Sequence, residues 1–137
     1  MSYKTILVHC DAGPKVAQRL AVAVDLAERN GAHLVGVHAR PPFQAPVFFE
    51  GGMPMDTLFA SYEAGAKADE ASARAAFEKT LKGRHLSHEW RVTEGFIDSE
   101  LVIQARYADL LVLGQTDPDA QTPTPSDLPE AVVLATG

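Results

Sequence analysis

Short apolar runs alternate with helical periodicity four times along this chain, and no other property of the sequence restricts the fold as strongly. Residues 6–10 (ILVHC) form a continuous apolar-rich run, as expected for a parallel strand covered on both faces. A helical pattern opens at Pro14, with Val16, Leu20, Ala23, Val24 and Ala27 recurring at three- and four-residue steps and Asn30 and Gly31 supplying the stop. Residues 33–39 (HLVGVHA) make a second strand, which Pro41 and Pro42 keep from running on into a helix.

Residues 40–54 read as a loop, rich in proline and glycine, whose Phe43, Phe48, Phe49 and Met53 either tuck it onto the domain or contact a pocket or partner. An alanine-rich stretch from about residue 56 to residue 82, carrying Leu58, Tyr62, Ala66, Ala73, Phe77 and Leu81, reads as a long helix stopped by Gly83. Its Glu70, Arg74, Glu78 and Lys82 form a charged row suited to water. Residues 89–93 differ from the other strands, because Trp90 and Val92 alternate with Glu89, Arg91 and Thr93; that pattern predicts an edge strand. Asp98 or Ser99 is placed to cap a helix bearing Leu101, Val102, Ala105 and Tyr107, and residues 109–114 make the fourth strand. Ser126 or Asp127 is placed to cap a last helix, with Pro129 in its first turn and Gly137 as its C-terminal cap. Four strands alternating with four helices imply an α/β fold, a doubly wound parallel sheet with helices on both faces, in one domain spanning 1–137.

Composition narrows the partners. With 137 residues, 46% of them apolar, the chain can bury roughly two-thirds of its unfolded surface around one core. A net charge of −6 argues against nucleic acid and against anionic membrane surfaces, both of which are bound by clustered Lys and Arg. The first residues run straight into a strand and no apolar run reaches the ~18 residues of a membrane span, so a cytoplasmic protein is expected. The single cysteine, Cys10, fits a reducing compartment.

Three groups of residues could carry chemistry. His9, Cys10 and Asp11 end the first strand and His38 ends the second, where doubly wound folds gather ligands. Zinc would accept imidazole and thiolate, but adjacent strand residues point to opposite faces, so packed and hydrogen-bonded histidines are expected instead of a metal site. By the same geometry Cys10 is expected to be a buried structural thiol and not a nucleophile. Asp11 is either a ligand-binding residue at the switch point between strands one and four or a cap for the helix near Pro14.

The third candidate is the segment after ADLLVLG (residues 108–114). A buried strand ending in glycine commonly leads into an anion-binding loop. Here Asp117, Asp119 and Asp127 bring negative charge, Pro118, Pro123 and Pro125 remove N–H donors, and no Gly, Lys or Arg lies between Gln115 and Asp127. Two like charges about 4 Å apart repel by roughly 1 to 4 kcal/mol, so this loop is poorly suited to phosphate.

The segments ILVHCD (residues 6–11), HLVGVHARPP (33–42), DSELVIQARYADLLVLG (98–114) and LPEAVVLATG (128–137) together resemble the universal stress protein family over most of the chain. The resemblance implies a Rossmann-like sheet in the order 3-2-1-4-5. It places Asp11 at the family's adenine-side aspartate and implies that an adenine nucleotide, if held, would meet Asp11, the strand-two backbone at Val37, and Gly114. Members that bind ATP carry two further loop glycines, the second followed by Ser or Thr. Asp117 and Asp127 stand at those glycine positions and Leu128 at the hydroxyl position. The family's fifth strand would follow Gly137, so the chain is expected to be a fragment, the first half of a tandem protein cut before that strand, the alternative being a protein that stops there and pairs differently.

These readings converge on a non-catalytic stress-response domain with little or no ATP binding. No paired acid and base emerges, so no enzymatic activity and no cofactor are expected beyond a weakly held adenine nucleotide. The alternative is an adenine-nucleotide-binding module using Asp11 and the switch point. An uncovered fourth strand would favour pairing with a second copy or a second stress-protein domain.

Overall fold

A computed structural model describes residues 2–44, 52, 54–115, 119, 124–125 and 127–136. Four parallel strands, β1 (Thr5–His9), β2 (His33–Arg40), β3 (His88–Glu94) and β4 (Leu110–Val112), lie in the order β3-β2-β1-β4. Thr5 pairs with His33, Ile6 with Leu110 and Gly36 with Trp90, which sets the register across the sheet. The doubly wound α/β arrangement and the edge position of β3 agree with the sequence reading. Among the described residues no strand pairs with the outer side of β4.

Helices cover both faces. On one face α1 (Val16–Asn30) and α2 (Met55–Leu81) bring Leu20, Ala23, Val24, Ala73 and Phe77 against Ile6, Val8, Cys10 and Leu34. On the other, α3 (Ile97–Ala105) and α4 (Leu128–Thr136) bring Ile97, Leu101, Leu128 and Val132 against Leu7, Val35, Val37 and Ala39. Burying each such Leu, Ile, Val or Phe contributes about 1.5–3 kcal/mol, so these two layers dominate the stability of the fold. The strict alternation along β1 and β2 is what divides the core between them.

Several boundaries differ from expectation. Helix α1 starts at Val16 with Lys15 before it, because Pro14 and Lys15 are spent in a turn whose Gly13 carbonyl accepts the Val16 N–H. Asp11 therefore does not cap that helix. Helix α3 starts at Ile97, whose side chain is buried, so Asp98 and Ser99 lie inside its first turn, where acidic charge favours the helix dipole, and neither caps it. The charged row of α2 reduces to Arg74 bonded to Glu78 at 3.0 Å, since the helix ends at Leu81 and Lys82 lies beyond it. Strand β4 is three residues long and half-buried, shorter than the run 109–114, and Tyr107 is 87% exposed after α3 has ended. Phe43 packs on Phe59 and Tyr62 at 5.5 and 5.4 Å between centroids; Phe48, Phe49, Met53, Asp117, Pro118, Pro123, Ser126 and Gly137 lie outside the described residues.

Candidate functional site

The order β3-β2-β1-β4 makes the crevice between β1 and β4 the point where successive crossovers diverge, and ligands of such sheets bind at the carboxyl ends of the strands there. Asp11 lies two residues beyond β1 and Gly114 two residues beyond β4, so both flank that crevice.

The crevice holds an internal cation. Arg19 sits one turn into α1 on the same stripe as Val16, Leu20 and Ala23, so the helix directs it toward the sheet. Its Nη1 donates to the His9 carbonyl at 2.8 Å and meets Asp11 Oδ1 at 3.5 Å, and both side chains are one-tenth exposed. Asp11 Oδ1 also accepts the Gly13 N–H at 3.1 Å, and Oδ2 accepts the Thr124 hydroxyl at 3.0 Å. Three donors therefore converge on one carboxylate. The guanidinium rests directly on Gly114, where a Cβ would overlap Arg19 Nη2, and Arg19 Nε is buried without a hydrogen-bond partner among the described residues.

Electrostatics follow from this packing. Burial alone would raise the Asp11 pKa, but Arg19, His9 and the bonds from Gly13 and Thr124 outweigh it and hold the carboxyl below its usual range. Burial drives His9 down to about 4, against the pull of Asp11 and with further opposition to its charge from Arg19 and His38. Burial likewise pushes the Cys10 thiol up to about 12, and its Sγ faces the Val8 carbonyl at 3.6 Å, which makes it a packing group with little thiolate near neutrality.

The remaining expected site residues are placed as follows. Val37 is fully buried and its carbonyl accepts the Cys10 N–H at 2.8 Å, so that backbone acceptor is engaged within the sheet. His38 Nδ1 donates to the Cys10 carbonyl at 2.8 Å and its ring stacks on Trp90 with centroids 6.3 Å apart. Cys10 belongs to the α1/α2 core, whereas His9 shares the parity of Leu7, and among the described residues no three His, Cys, Asp or Glu side chains gather as a metal would require. Asp11 and Gly114 are brought together by Arg19, a residue that motif and spacing do not single out. The signal that marks it is an arginine standing within an otherwise apolar helical stripe.

A family model described as the universal stress protein family matches residues 2–122. The chain belongs to the universal stress protein family. Family members dominate the structural neighbours as well. A universal stress protein UspA from Lactobacillus plantarum is 18% identical with a TM-score of 0.71, covering 98% of this chain and 93% of that one. A universal stress family protein from Burkholderia pseudomallei is 21% identical with a TM-score of 0.62, covering 96% and 89%. A universal stress protein in complex with cAMP is 24% identical with a TM-score of 0.59, covering 82% and 76%. These likenesses bear on the fold. A comparison with curated proteins finds no match.

Proposed function

We propose that this universal stress protein domain is non-catalytic, acts by association in a cytoplasmic stress response, and holds little or no ATP. The observation that carries the reading is the filled switch-point crevice: Arg19, the Gly13 amide and the Thr124 hydroxyl already use the Asp11 carboxylate. A nucleotide would have to displace an ion pair whose members are almost fully buried, and separating them exposes each to its full desolvation cost. Asp119 and Asp127 add negative charge to the segment after β4, which opposes phosphate.

The second reading, an adenine-nucleotide module without triphosphate contacts, draws support from the family relative in complex with cAMP. Thermal unfolding with millimolar MgATP and, separately, with adenosine distinguishes them, because a ligand of the native state raises Tm by mass action. The first reading expects no shift with either. A rise of several degrees with ATP overturns it, and a rise with adenosine alone selects the second. Association would use the outer side of β4, beside a groove of about 380 Å³ that Val102, Leu110, Leu111 and Ala135 line together with Arg106 and Asp109. A strand from a second copy or from a second stress-protein domain would satisfy the edge.

A further inference from the structure

We propose that a second cleft, between the C-terminal end of β2 and the first half of α2, binds a small flat organic cation, an aromatic amine or amidine, through Asp69 and His38. The cleft encloses about 270 Å³ and is lined by His38, Arg40, Tyr62, Gly65, Ala66 and Asp69 among others. It exists because α2 leaves the sheet: Ala73, Phe77 and Leu81 are buried, while no residue of the helix before Ala73 is. Its lining includes none of Asp11, Arg19, Gly114 and Thr124, and the inference does not depend on the function proposed above.

Charge selects the ligand. Arg40 is bonded to Glu63, which neutralises it, whereas Asp69 has no hydrogen bond or ion pair among the described residues. The cleft therefore carries one uncompensated negative charge. His38 Nδ1 donates to the Cys10 carbonyl, and the tautomer that this bond selects carries its acceptor at Nε2. Acceptors without a matching donor call for a ligand rich in N–H groups, and an amidinium meets a carboxylate through two parallel bonds. Tyr62, Pro41, Ala39 and Ala66 supply apolar surface suited to a flat ring, and the tyrosine face attracts a cation.

Gly65 is an independent pointer. It stands inside α2, where glycine is the least favoured residue after proline, and a Cβ there would meet nothing within 4 Å. Packing does not require the glycine, and it lines the cleft beside open space.

Benzamidine and its near-isosteric neutral analogue benzamide provide the test, by calorimetry and by amide shifts in nitrogen-edited NMR spectra. Benzamidine is expected to bind with a Kd of about millimolar or tighter, and benzamide about tenfold more weakly. Asp69→Asn should bring benzamidine down to the benzamide level. Gly65→Leu, a better helix former at an open position, should abolish both while leaving the helical circular dichroism intact. Equal affinity for the two compounds, unchanged binding in Asp69→Asn or Gly65→Leu, or amide shifts centred away from Gly65 and Ala39 would each overturn the proposal. Neither substitution touches Asp11, so the adenosine result stands or falls on its own.

Discussion

Arg19 and Asp11 show how one buried pair organises the crevice. Removing the cation leaves a carboxylate almost without solvent and with only neutral donors, so Arg19→Met is expected to destabilise the fold by about 3–5 kcal/mol in urea unfolding. A loss below about 1 kcal/mol would place the pair with ordinary surface ion pairs. Titration of the same cluster predicts acid sensitivity. The folded pKa of His9 lies near 4, below its ordinary 6.5, so between those values the unfolded chain binds the proton more readily and stability rises with pH. Asp11 acts in the same direction, since its depressed folded pKa means stability is present above its ordinary value and lost on further acidification. Stability should fall by about 3 kcal/mol from neutral pH to pH 4 on account of His9, because each tenfold difference in proton affinity between folded and unfolded chain is worth about 1.4 kcal/mol. Denaturant titrations across that interval check it, and His9→Asn should remove most of the slope between 6.5 and 4.

At the scale of elements, the central strands and the long helix are joined through Gly36. A Cβ there would lie 2.7 Å from the Phe77 ring and 2.9 Å from that of Trp90, and these two rings are themselves 5.3 Å apart between centroids. The pair lets α2 approach β2 and β3 closely, which is why β3 is half-buried although it is the edge. Gly36→Ala forces overpacking against two rigid aromatics and should cost about 1–3 kcal/mol. Lower cooperativity without a change in the unfolding midpoint would show that the helix slides to accommodate the methyl group. The alternation around Trp90 locates β3 and its edge position in the sequence, but Gly36 resembles any strand glycine until its opposing rings are known.

For the whole molecule, the two sheet edges are built differently, and the proposed association follows from that difference. One edge, β3, carries Glu89, whose bonds from Arg91 and His33 depress its pKa to about 2, and such an ionic edge resists strand addition. The other, β4, is apolar, and α4 beside it exposes Val133 at 65% and Leu134 at 84%. Association through β4 predicts a dimer or larger species at micromolar concentration by light scattering. Ala135→Arg, which places a long cation in the groove from an exposed helix position, should move the population to monomer without loss of helix content. A wild-type chain that is monomeric at high concentration would exclude this edge as the interface.

The alternation of buried strand runs with 3.6-residue stripes was enough, by itself, to determine the α/β class, the parallel sheet, the edge position of β3 and the burial of Cys10. Each of these follows from local periodicity, which is written along the chain in consecutive residues. The helix starts at Val16 and Ile97 were less legible, because competing turn and capping residues stood within two or three positions of each other. Only tertiary structure decided what fills the switch-point crevice. Asp11, Arg19, Gly114 and Thr124 are separated by up to 113 residues, and their convergence depends on helix rotation and sheet register together, neither of which any local pattern of residues encodes.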